Sequence, residues 1–71
     1  GTSATYDRLP VVVRSEPLGP RRDDVLHRIR ESARLVGASL AIEHDPVSDG
    51  FLAVMPRFLY RQLPKIIGPE L

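Results

Sequence analysis

Cysteine is absent from all 71 residues of this chain. That excludes a disulfide framework and any thiolate metal site. It suits a reducing compartment, with the cytoplasm slightly favoured, although cysteine-free domains also occur in oxidising ones. Long apolar runs are absent as well. None approaches the roughly 18–20 residues that cross a bilayer, so no membrane insertion is expected. No charged-then-apolar leader opens the sequence. The five glycines stand at 1, 19, 37, 50 and 68. They are too far apart for a GxGxxG turn or a P-loop, which removes the common phosphate cradles. There is no internal repeat and no low-complexity tract. Charge of one sign is scarce too, since nine arginines and one lysine face nine acids for a net charge of +1. No basic or acidic tail stands out.

What is present is enough for one small domain. A chain near this length buries only about 60% of its unfolded surface, so the core is small. A hydrophobic content of 42% nonetheless favours a folded core over disorder. Gly1, Thr2 and Ser3 carry no methionine and read as an added stub. The single domain then covers 4–71 and reads as a piece of a larger protein.

Seven prolines divide the chain, and each weakens a helix or central strand drawn across it. Residues 9–14, LPVVVR, read as a strand, with Pro10 at its start or on an edge. Residues 19–37, GPRRDDVLHRIRESARLVG, predict a helix over 20–36. Pro20 suits the first helical position. Asp23 and Asp24 sit at the positive end of the dipole. Leu26, Ile29, Ala33 and Val36 form one apolar stripe, which Val25 broadens. Gly37 is a natural stop with Arg34 in the last turn. Asp24–Arg28 and His27–Glu31 are i,i+4 pairs.

Residues 38–44, ASLAIEH, and 51–55, FLAVM, predict two strands of a hairpin. In the DPVSDG between them, Asp-Pro begins the turn and Asp-Gly supplies the positive φ that closes it. Residues 56–63 predict a short helix begun by Pro56 and ended or kinked by Pro64. Residues 64–71 fit a last helical turn or an extended segment equally well. The β-α-β-β-α order predicts an α+β fold, a small three-stranded sheet with one amphipathic helix packed on it. The sheet's other face is left open or covered by residues 57–71.

The residues that resemble chemistry gather in EHDPVSDG, residues 43–50. Read as a calcium loop from Asp45, Asp49 falls at position 5 and Gly50 at 6, but Val47 and Pro56 occupy positions 3 and 12, which need oxygen ligands. Zinc needs three or four converging ligands, and only His44, Asp45, Asp49 and the distant His27 are on offer. Ser48, His44 and Asp49 have no nucleophile elbow around them. The stretch therefore reads as a turn. No catalytic residue, metal ligand or cofactor is expected, and the chain reads as a non-enzyme.

Two binding readings remain. The favoured one is a protein–protein interaction or assembly module, acting on a protein partner or on itself. Val11, Val12 and Val13 would form an edge strand open to pairing. Arg57, Phe58, Tyr60 and Arg61 are of types common at interface hot spots. The alternative is nucleic-acid binding through Arg28, Arg30 and Arg34 on the helix, with Arg57, Arg61 and Lys65 behind them. The low net charge weakens that alternative, since phosphate binding relies on counterion release. The second glycine of a KH loop and the sheet aromatics of an RRM are also missing.

The stretch ARLVGASLAIEHDPVSDG, residues 33–50, resembles the helix-Gly-strand-Asp-turn of small N-terminal domains in secretins and TonB-dependent signalling receptors. The Leu-x-Gly pattern that follows in the receptors is absent here. RLPVVV followed by the α-β-β order is similar to the dimerisation domain of the MinE division regulator. Both resemblances imply docking or assembly and no catalysis.

Overall fold

The computed structural model describes residues 2–68, with side chains from Thr5 onward. The order is α1 (Thr2–Arg8), β1 (Pro10–Arg14), a 3-10 turn (Gly19–Arg21), α2 (Arg22–Val36), β2 (Ala41–His44), β3 (Phe51–Pro56) and α3 (Arg57–Ile67). The strands form one antiparallel sheet in the order β1-β3-β2. The fold is α+β, as the element order predicts.

Register decides which side chains meet. Ala53 faces Val13 on one side and Ile42 on the other, Met55 faces Val11, and Phe51 faces His44. Alternation along a strand puts all of these on one face of the sheet. That face carries the core. Above Val13, Phe51, Ala53 and Met55 lie Val25, Leu26, Ile29 and Ala33 of α2 and Leu59, Leu63 and Ile67 of α3. Each large side chain among them contributes about 1.5–3 kcal/mol by leaving water. Two helices thus share the covered face, where the sequence predicts one. On the opposite face Val12, Arg14, Ala41, Glu43 and Val54 are exposed, and no helix among the described residues covers them.

α2 matches its sequence signals. Gly37 takes a φ of 68° and its N–H reaches the Ala33 and Arg34 carbonyls. Asp24 and Arg28 meet at 3.0 Å. Two expectations fail in detail. Val36 is 59% exposed, so the buried stripe stops at Ala33. The chain leaves the helix at Gly37, and Ala38 and Leu40 pack against the core beyond it. Glu31 gives both carboxylate oxygens to Arg34 rather than pairing with His27. β2 is also shorter than 38–44, because the Ala38 N–H is spent on the Ala33 carbonyl at 2.8 Å, inside the helix cap.

α3 corrects the reading of Pro64. The helix runs through it to Ile67. Proline removes only the N–H that would reach the Tyr60 carbonyl. The stripe Leu59, Leu63, Ile67 continues past it and is buried along its whole length. Arg21 Nη2 donates to the Ile67 carbonyl at 2.9 Å and caps the far end. Residues 64–67 are therefore helical, and residues 69–71 lie outside the described residues. α1 is a second departure. No helix is expected over 2–8, yet Thr2 and Ser3, read as part of a stub, belong to its first turn.

In the hairpin turn Asp-Gly supplies the positive φ as expected, and it does so through Asp49, at 63°, rather than Gly50. Gly50 is needed for space: a Cβ there would collide with the Ser15 carbonyl oxygen. Gly50→Ala should therefore destabilise the fold by about 1–3 kcal/mol, the usual cost of overpacking a fitted site. Urea denaturation followed by circular dichroism checks this, and an unchanged midpoint would refute it.

Candidate interaction surfaces

The corner at 43–50 uses its polar groups on itself. Asp45 accepts from the Val47 N–H and the Ser48 hydroxyl, both at 3.0 Å. Ser48 Oγ accepts from the Gly50 N–H at 3.3 Å. Asp49 Oδ1 lies 2.8 Å from His44 Nε2, and Oδ2 accepts the Gly19 N–H at 2.8 Å. The Asp49 carbonyl takes the Leu18 N–H at 2.9 Å. The Val47 N–H, then the Ser48 hydroxyl, hold the Asp45 carboxyl below its usual range. His44, then the Gly19 N–H, do the same for Asp49. Ser48 bonds Asp45 while His44 bonds Asp49, so hydroxyl and imidazole belong to separate contacts. Among the described residues no three His, Asp or Glu side chains converge on one point.

The helix arginines are dispersed. Arg28 is held by Asp24 at 3.0 Å, and Arg34 by Glu31 at 2.8 Å. Exposed pairs of this kind stabilise by about 0–1 kcal/mol. Arg30 reaches across to the Ile42 carbonyl at 3.5 Å. Arg30 and Arg34 lie on one side of α2, whereas Arg28 projects about 160° away from Arg30. Arg21 is turned inward onto α3. Arg28, Arg30 and Arg34 do not form one face.

The carboxy-terminal candidates are divided as well. Phe58 is half-buried against the core. Tyr60 is exposed. Arg57 lies 4.3 Å above the Tyr6 ring, and Arg61 lies 5.9 Å from it while pairing with Asp7 at 3.1 Å. The Arg57 N–H also donates to the Leu9 carbonyl at 2.9 Å. Arg57 and Arg61 thus hold α1 against α3. Sequence reasoning missed this partnership because Tyr6 and Asp7 lie some fifty positions away, with no periodicity to tie them.

The valines of β1 separate by parity. Val13 is buried, Val11 is half-buried toward the core, and Val12 is 70% exposed on the bare face. There Val12, Val54 and Ala41 stand in one row across the three strands, with Leu52 between Arg14 and Glu43 in the next. The backbone of β1 is half unpaired. The Ser15 N–H to Phe51 carbonyl and Arg57 N–H to Leu9 carbonyl bonds set the phase of the ladder. Residues 11 and 13 then bond to β3, while Pro10, Val12 and Arg14 point outward. The missing N–H of Pro10 faces solvent and costs the sheet nothing. No helix among the described residues is long and apolar enough to cross a membrane.

Two outcomes test these assignments. A carboxyl depressed in the fold adds stability that is fully present above its unfolded value, near pH 4, and is lost as pH falls through the folded value. Asp49→Asn should lower stability at neutral pH and make the acid-side loss shallower, leaving the shares of Asp45 and Glu31. Thermal melts from pH 7 to pH 2 measure both, and parallel curves for the two proteins would contradict the Asp49 assignment. Arg57→Ala should move the amide NMR signals of residues 5–8 toward random-coil positions while β3 stays put. Unmoved α1 signals would show that the cation–π contact is idle.

The comparisons with known proteins leave the chain on its own: no family model, no curated protein and no solved structure matches it.

Proposed function

We propose that this domain is a non-catalytic assembly module. It joins another protein chain through the free edge of β1 and the apolar sheet face next to it, and a second copy of itself is the simplest partner. The carrying observation is the position of Val12. Its backbone N–H and carbonyl lie on the open edge, and its side chain, 70% exposed, lies on the open face. Open edges pair readily with another strand.

Two copies of β1 related by a two-fold axis at Val12 satisfy the geometry. Val12 would exchange both hydrogen bonds with its counterpart. Arg14 would donate to the Pro10 carbonyl of the other copy, the one position that lacks an N–H of its own. No like charges face each other across such a pair. The result is a continuous six-stranded sheet, and the contact is isologous, as closed dimers require. The sequence resemblances imply docking or assembly as well. The nucleic-acid reading draws less support, because Arg28 and Arg34 are already paired with acids and Arg28 lies apart from the other two.

Of the carboxy-terminal candidates, Tyr60 and Phe58 stay within this proposal as flanking contacts. Arg57 and Arg61 act in it indirectly, by keeping α1 on α3.

Sedimentation equilibrium tests the reading. The wild type should associate reversibly as concentration rises. Val12→Lys should weaken the association about tenfold or more, since it sets two ammonium groups against each other in an apolar row. Circular dichroism should not change. A wild type that remains monomeric at its solubility limit, or a Val12→Lys protein that associates equally well, would overturn self-pairing at β1.

A further inference from the structure

β2 supplies the second free edge of the sheet, and its surroundings differ from those of β1. The Asp45 N–H bonds the Gly50 carbonyl at 2.8 Å. Phase along the ladder then pairs Glu43 and Ala41 with β3 and turns the N–H and carbonyl of Ile42 and His44 outward. β2 reads AIEH and holds no proline. Natural edges are commonly blunted by proline, lysine, a bulge or a covering element.

Beside this edge runs a groove of about 710 Å³ between the second half of α2 and β2. Ala33, Ala38, Leu40 and Ile42 give it apolar walls, and Arg30 and Arg34 stand along it. The two arginines are not equivalent. Arg34 is neutralised by Glu31, to which it donates two hydrogen bonds. Arg30 pairs with no carboxylate among the described residues, and its single contact is the long one to the Ile42 carbonyl. Glu43, the acid of β2, also lines the groove, but from the outer face of the sheet, where it shares its register row with Leu52. On the side formed by α2 and Ile42, the uncompensated charge is that of Arg30.

We propose that the β2 edge and this groove form a binding site for an extended acidic peptide, which adds to the sheet as a fourth strand. The peptide's N–H groups take the outward carbonyls of Ile42 and His44. The Ile42 carbonyl then exchanges the Arg30 contact for a proper ladder bond, and Arg30 turns to a peptide carboxylate. Side chains alternate along a strand. The residue opposite Ile42 enters the groove, whose alanine walls suit a small apolar side chain. A residue two positions along on the same face brings its carboxylate to Arg30. Main-chain bonds supply general affinity, while the groove and the arginine select. The site is independent of β1, so Val12→Lys should leave it intact.

The test uses the ¹⁵N-labelled protein and fluorescein-labelled octapeptides repeating Thr-Val-Thr-Glu, or Thr-Val-Thr-Lys, in which the valine and the charged residue lie two positions apart on one face. Single-stranded oligothymidine serves as a third probe. The glutamate peptide should bind about tenfold or more tightly than the lysine peptide, as one charge-assisted contact implies. The Ile42 and His44 amide signals should shift and their exchange with solvent should slow. Arg30→Glu should reverse the preference between the peptides, and Arg30→Gln should erase it. Both substitutions fall at an exposed position, and circular dichroism confirms that each variant folds. Failure of the glutamate peptide to bind, equal affinity for both peptides, or shifts centred on Val12 and Arg14 would overturn the proposal. So would tighter binding of oligothymidine, which would make the groove a phosphate-reading surface instead.

Discussion

The strand β3 is the element on which the other placements depend. It is bonded on both sides, through residues 51, 53 and 55 to β1 and through 52 and 54 to β2, with the Gly50 carbonyl prolonging the second ladder into the turn. Its inward side chains Phe51, Ala53 and Met55 are almost fully buried. The small Ala53 sits between the branched Val13 and Ile42, in the middle of the covered face. Pro56 ends the strand in extended geometry and stands as the N-cap of α3. The chain therefore turns from the central strand straight into a helix that lies beside α2. Placing β3 in the centre leaves β1 and β2 as edges, and placing both helices on its inner side leaves the other side bare.

The corner before β3 fixes how the strand enters. Ser15 and Phe51 are joined twice, by the Ser15 N–H to the Phe51 carbonyl at 3.1 Å and by the Phe51 N–H to Ser15 Oγ at 2.8 Å. Asp49 then ties down the next part of that loop by accepting the N–H groups of Leu18 and Gly19. Leu18 is buried, so its backbone must find partners inside the protein. Asp49 supplies one at the cost of a left-handed backbone, which Asp tolerates better than most residues. The His, Asp and Ser side chains that look like chemistry thus fasten the corner and the loop that carries the buried Leu18. A metal or a substrate would have to compete with these bonds.

Sequence carried the local part of this and lost the tertiary part. α2 was readable because its signals agree: acids in the first turn, a stripe at helical spacing and Gly37 at the stop. The hairpin was readable from two apolar runs around Asp-Pro and Asp-Gly. α1 was not, since TSATYDR has no apolar stripe and two of its residues are β-branched threonines. Its anchor is Tyr6 under Arg57, a contact that only the folded chain brings together. The passage of α3 through Pro64 was hidden for a related reason. Local propensity argues for a stop, while the burial of Leu63 and Ile67 and the Arg21 cap argue for continuation, and packing outweighs one lost hydrogen bond. The division of the candidate sites had the same origin. Residues chosen for type, such as Arg57 and Arg61, were recruited by α1, while Val12 kept its exposure because parity set it on the uncovered face.

The two edges present different chemistry to a partner, and this bears on how such a domain could work. β1 carries Pro10 and an arginine, and its one outward valine belongs to an apolar row. That pattern favours a symmetric contact, which leaves only the Arg14 carbonyl opposite Pro10 without a ladder donor. β2 carries no such irregularity and lies beside a groove whose α2 wall carries one uncompensated cation, Arg30. That pattern favours an unlike, extended guest. Because β3 separates the edges, either could be occupied without disturbing the hydrogen bonds of the other. Val13 and Ile42 flank Ala53 from opposite sides, so the two edges share one core while their outward hydrogen-bonding groups stay separate.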